Sequence, residues 1–119
     1  MRVFVGGSRN FTDSEEAYKL FLSFLKDKNA LNDSVTVISG GAMGADTIGE
    51  ELANRCNLKF ELYLPDWESH GNMAGFTRNK VMSETVDEAI IFWNGKSSGT
   101  KHMINELRMN GIVPNIHIF

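Results

Sequence analysis

Residues 35–46 read Val-Thr-Val-Ile-Ser-Gly-Gly-Ala-Met-Gly-Ala-Asp, an apolar run that turns through glycines into an amphipathic segment beginning near Ala45. A strand that enters a helix through such a turn leaves backbone N–H groups without intrahelical partners, pointing at whatever lies in front of the helix. That arrangement suits an anion. Equally, Gly40, Gly41 and Gly44 permit a tight strand-to-helix turn and need do nothing more. The choice between the two readings depends on what else the chain brings to the same place, and three further polar or Gly-rich loops each follow a strand-like run.

Working outward toward the N-terminus, Arg2 to Val5 is a first strand that ends in Gly6-Gly7-Ser8-Arg9, placing a hydroxyl and a guanidinium just past its carboxyl end. Thr12-x-x-Glu15 is a capping-box signature, followed by Ala17, Leu20, Phe21, Phe24 and Leu25 at the spacing of a core-facing helix. The polar stretch from Lys26 to Ser34 returns the chain to the second strand, Val35 to Ser39. Beyond the glycine turn, Ala45, Ile48, Leu52 and Cys56 share one helical face, which makes Cys56 a small buried hydrophobe.

Toward the C-terminus, a third strand from Lys59 to Leu64 stops at Pro65-Asp66-Trp67. Asp66 offers a carboxylate for hydroxyl groups, and Trp67 either an aromatic face for a base or a ring closing over the core. From Met73 to Thr85 the residues Ala74, Arg78, Val81 and Met82 fall on one helical face. An arginine on an apolar stripe requires a partner, which is either an acidic residue of the protein or a phosphate or carboxylate of a ligand. Glu88 to Trp93 is a continuous apolar strand, as expected of a central parallel strand covered on both faces. It leads into Asn94-Gly95-Lys96-Ser97-Ser98-Gly99-Thr100, which opens a helix with Met103, Ile104 and Leu107 facing inward. Gly111 ends that helix, and Val113 to Phe119 forms the last strand.

This βαβαβαβαβ alternation over 119 residues specifies one domain, residues 1–119, with a five-stranded parallel sheet between two helical layers. Right-handed crossovers leave few strand orders. Order 3-2-1-4-5 makes the first and fourth strands neighbours at the switch point, so that Gly7-Ser8-Arg9 and residues 94–100 flank the crevice where such folds bind ligands. The alternative 2-1-3-4-5 brings Pro65-Asp66-Trp67 nearer the centre.

Composition narrows the function classes. At 42% hydrophobic and 23% charged residues, with no apolar run near the ~18 residues of a membrane span, the chain reads as a soluble cytoplasmic protein with no secretion signal. A single cysteine excludes an internal disulfide and a cysteine-based metal cluster. A net charge of −3 argues against gripping nucleic acid as the main task. His70, His102 and His117 are scattered, and no metal site, cofactor, nucleophile–base pair, GxGxxG or P-loop pattern is present.

Taken together, Gly-Ser-Arg at 7–9, Ser-Gly-Gly-Ala-Met-Gly-Ala-Asp at 39–46, Pro-Asp-Trp at 65–67, Ala-Gly-Phe-Thr-Arg-Asn-Lys-Val-Met at 74–82 and Phe-Trp-Asn-Gly-Lys-Ser-Ser-Gly-Thr at 92–100 resemble the small YspA-like members of the SLOG superfamily. That superfamily of Rossmann-like proteins includes the lysine-decarboxylase-like phosphoribohydrolases and the DNA-processing protein of bacterial transformation. The resemblance implies a nucleotide or nucleotide-derived, ADP-ribose-like ligand at the strand carboxyl ends. The residues it points to are Gly7, Ser8, Arg9, Ser39, Gly40, Gly41, Gly44, Asp46, Asp66, Trp67, Arg78, Asn79, Gly95, Ser98, Gly99 and Thr100.

Arginines and loop N–H groups would hold phosphates, Asp46 or Asp66 ribose hydroxyls, and Trp67 or Trp93 a base. The related hydrolases place an arginine four residues before a methionine, which Arg78 and Met82 match, and a glutamate in Gly-Gly-x-Gly-Thr-x-x-Glu, where this chain has Met103. A thioether is neither acid nor base, so the resemblance carries a binding or sensing role over a hydrolytic one. Phosphoribohydrolase or N-glycosidase activity on nucleoside monophosphates is the alternative, and an assembly or nucleic-acid-binding module a third. Met73, Phe76 and Met109 lie off the inner stripes and offer a surface for a homo-oligomer.

Overall fold

The apolar runs become strands because both faces of each central strand are covered. In the computed structural model, which describes residues 1–31, 34–41 and 44–119 with the side chain of Asp46 left outside the description, β1 (Arg2–Gly7), β2 (Thr36–Ser39), β3 (Lys59–Leu62), β4 (Glu88–Trp93) and β5 (Asn115–Ile118) form one parallel sheet. Its order is β3-β2-β1-β4-β5, the 3-2-1-4-5 arrangement expected from the alternation. The helices are α1 (Ser14–Asp27), α2 (Ala45–Arg55), the short α3 (Trp67–His70), α4 (Ala74–Thr85) and α5 (Ser98–Met109), with a 3-10 turn at Gly71–Met73 leading into α4.

Side chains alternate across the sheet into two apolar layers. Val3, Val5, Val37, Ile90 and Phe92 pack against Ala17, Phe21, Phe24 and Leu25 of α1 and Ile48 and Leu52 of α2. Phe4, Ile38, Ala89 and Ile91 pack on the other face against Met82 of α4 and Met103, Ile104 and Leu107 of α5. These are the two helical layers of a Rossmann-like α/β/α sandwich.

Several boundaries differ from the sequence reading. β1 runs two residues farther, to Gly7, because Gly6 and Gly7 pair with Ile91 and Phe92 of β4. β2 starts one residue later, at Thr36. β3 stops at Leu62, where its partner β2 ends at Ser39. β5 is confined to the four residues facing Ile90–Trp93. The cap of α1 is Asp13, not Thr12, since the Asp13 carboxylate accepts from the Glu16 N–H. Val81 is exposed, and the buried face of α4 holds Asn79 and Ser83 beside Ala74 and Met82. Leu20 and Cys56 are half-buried at the margin of the first layer, and burial pushes the Cys56 thiol pKa up. Trp67 is 61% exposed and does not close over the core.

Gly111 adopts a left-handed conformation just past α5, and the Ile112 N–H donates back to the Leu107 carbonyl, which ends the helix as the sequence indicates. Among the described residues no helix is long and apolar enough to cross a membrane.

Candidate functional site

The switch point lies between the carboxyl ends of β1 and β4, and Ser8 fastens it. Its N–H donates to the Phe92 carbonyl at 2.9 Å, and its hydroxyl accepts from the Asn94 N–H at 3.0 Å. Its carbonyl accepts from the N–H groups of Phe11 and Ala45, both at 3.2 Å. A side chain only 1% exposed and bonded in this way joins three loops. The loop after β2 is thereby pinned under the loop after β1, and Gly44, at φ +75°, packs so closely that an added Cβ would lie 2.1 Å from the Arg9 carbonyl oxygen.

The loop after β4 is built by Asn94, whose side-chain oxygen accepts from the N–H groups of Lys96 at 2.8 Å and Ser97 at 2.9 Å. The Trp93 indole N–H donates to the Ser97 carbonyl. Ser97 occupies the cap position of α5 without a side-chain bond to the helix backbone; its hydroxyl accepts instead from the Thr100 hydroxyl at 3.1 Å. The first turn of α5, at Ser98, Gly99 and Thr100, has no acidic residue and carries the positive end of a twelve-residue helix.

From α4, Arg78 reaches back to the glycine turn and donates through Nη1 to the Gly40 carbonyl at 2.9 Å. The neighbouring Asn79 is buried and donates through Nδ2 to the Gly99 carbonyl at 3.3 Å. Its amide also lies 3.2 Å from His102 Nδ1, and His102 Nε2 lies 3.4 Å from Glu106 Oε1. Asn79 thus ties α4 to the start of α5 and fixes the spacing between Arg78 and that helix terminus.

These elements enclose a cleft of about 130 Å³, with Phe4, Met82 and Met103 as an apolar floor and Gly7, Arg9, Arg78, Asn79, Gly99 and Thr100 around the polar side. It opens into a wider groove of about 480 Å³ that shares Arg9, Ser97 and Gly99 with it and adds Ser8, Ser98 and Phe76. Among the described residues, two guanidinium groups and no carboxylate line this combined space. Arg9 is exposed and forms no ion pair with a described residue.

The other residues named from the sequence take different places. Ser39 is buried and its hydroxyl accepts from the Gly41 N–H. Gly40, whose carbonyl accepts from Arg78, and Gly44, packed under the Arg9 carbonyl, do not line the cleft but lie beside its two arginines, whereas Gly41 is exposed next to Leu62 and Leu64. Ala42 and Met43 of the same turn, and the Asp46 side chain, lie outside the described residues. Gly95 is exposed on its loop. Asp66 lines a separate cavity of about 140 Å³ on the far side of Arg78, with Tyr63, His70 and Val81. It caps α3 through the Ser69 N–H, and that bond holds its carboxyl pKa below the usual carboxylate range.

Trp93 packs in the second core layer and Trp67 on α3 faces solvent, and neither lines the cleft or groove. Reading the sequence did not assign Phe4 and Met82 to the floor or Phe76 to the groove. The position of Phe76 off the inner stripe, two residues before Arg78, was the available signal.

An open parallel sheet of order 3-2-1-4-5, flanked by helices and with a cleft at its switch point, defines a Rossmann-like α/β architecture. The chain belongs to the YspA, cpYpsA-related SLOG family (YAcAr), which matches residues 1–70. It is also 32% identical over 117 residues to the Gene 61 protein of Mycobacterium phage D29, covering 93% of this chain and 91% of that protein. No solved structure matches it significantly.

Proposed function

We propose that the protein binds a nucleotide or nucleotide-derived ligand at the carboxyl ends of β1 and β4, holding it without cleaving it. The observation that carries this reading is the convergence of Arg9, Arg78 and the first turn of α5 on one cleft that no described carboxylate lines. Planar guanidinium groups and a helix N-terminus are complementary to phosphate oxygens. Family membership supports the reading, as does the location at the switch point. Met103, which stands where the related hydrolases have glutamate, is 2% exposed in the cleft floor. Glu106, one turn on, is engaged with His102. Both observations favour retention of the ligand over hydrolysis of an N-glycosidic bond.

Isothermal titration with AMP, ADP, ADP-ribose and a cyclic dinucleotide tests the proposal. Arg9→Ala is the informative variant, because Arg9 is exposed and its loss leaves the fold intact. Loss of a charge-assisted contact weakens binding roughly 10- to 100-fold. Absence of binding by every probe at millimolar concentration, or equal affinity of Arg9→Ala and wild type, rejects the reading. Release of free base from AMP over hours would restore the phosphoribohydrolase alternative.

A further inference from the structure

We propose that Phe76 is the platform on which the base of the bound nucleotide stacks, an inference that rests on the nucleotide-binding function argued above. Phe76 lies on the first turn of α4, is 39% exposed, and lines the wider groove beside Arg9 and Ser98. An exposed phenyl ring costs hydration free energy unless something covers it, and this one borders a concavity of nucleotide dimensions. The groove runs into the arginine-lined cleft through the shared residues Arg9, Ser97 and Gly99. A ligand with its phosphate against the arginines therefore extends its other end over Phe76.

The ring is held for this task from behind. The His102 imidazole stacks on it with centroids 4.3 Å apart and planes 25° from parallel. That imidazole is itself fixed between the Asn79 amide and the Glu106 carboxylate. One face of the phenyl is thus backed by a tethered ring, so less side-chain freedom is lost when a planar group meets the ring in the groove. The other aromatic candidates are committed elsewhere. Phe4 is buried in the cleft floor, the Trp93 indole N–H is bonded to the Ser97 carbonyl, and Trp67 lies outside both spaces. Stacking on a phenyl ring tolerates any base, so the platform supplies affinity for an aromatic heterocycle and leaves its identity to polar contacts.

The test compares AMP with ribose 5-phosphate, which keeps the phosphate and sugar and lacks the base, against wild type, Phe76→Leu, Phe76→Ala and Phe76→Trp. In Phe76→Leu and Phe76→Ala, AMP is expected to bind about tenfold more weakly while ribose 5-phosphate is unchanged; Phe76→Trp retains AMP affinity. Leucine keeps apolar bulk in front of His102, so AMP affinity equal to wild type in Phe76→Leu overturns the platform. Parallel losses for both probes overturn it too, since they mark a role in shaping the groove. So does equal affinity of the wild type for AMP and ribose 5-phosphate. If the wild type binds neither probe, the binding function itself falls, and the platform with it.

Discussion

Gly44 illustrates how one residue can serve a site it does not line. Its φ of +75° is one that a side chain rarely adopts, and a Cβ there would meet the Arg9 and Ser8 carbonyl groups. Gly44→Ala therefore combines backbone strain with a clash against main chain, and should lower the unfolding free energy by about 2 kcal/mol or more in chemical denaturation. The loop carrying Arg9 shifts with it, so ligand affinity should fall as well. His117 makes a different residue-scale prediction. Burial lowers its pKa, only partly offset by Glu16 on α1, and its ring stacks at 5.8 Å on Phe92. The folded state thus binds the proton less readily than the unfolded state. Stability is full above the unfolded pKa of about 6.5 and declines as pH falls through that value toward the lower folded one. Denaturation curves between pH 7.5 and 5 should show this decline in the wild type and a shallower one in His117→Gln.

At the scale of elements, the helices and strands were legible wherever a single period dominated, and were misread where polar groups take part in packing. The stripe of α1 is continuous, and Ala17, Phe21, Phe24 and Leu25 are buried as the spacing indicates. In α4 the apolar pattern points to Val81. The helix instead turns Asn79 and Ser83 inward, because Asn79 bonds to the start of α5 and the Ser83 hydroxyl accepts from the Asn110 amide at its end. Such a face has no hydrophobic periodicity to read. Glycines concealed the end of β1 for a similar reason, since pairing with β4 outweighs their poor strand propensity. The start of α1 yields a direct comparison. Asp13, not Thr12, accepts the first-turn N–H, so Asp13→Ala should cost about 1 kcal/mol while Thr12→Ala stays within about 0.5 kcal/mol, measured by urea denaturation.

For the whole molecule, the strand order was legible because crossover handedness and the switch-point rule leave so few choices, and that order places the two decisive loops side by side. The depth of the cleft was not, since its floor of Phe4, Met82 and Met103 comes from three elements whose apolar residues look like ordinary core. The consequence is a site assembled from β1, α4 and α5 that exists only while all three are folded together. A ligand for such a site binds the folded state and not the unfolded chain, so it stabilises the protein by mass action. At a concentration a hundredfold above Kd the gain is about 2.7 kcal/mol. For a two-state domain of 119 residues that raises Tm by about 10 °C. Thermal unfolding of the wild type with each nucleotide should show this rise for the ligand that binds. Arg9→Ala should melt within about 2 °C of the wild type without ligand, its exposed side chain carrying little of the fold, and should show a much smaller shift when the same ligand is added at the same concentration. A full shift retained in Arg9→Ala would place the ligand somewhere other than this cleft.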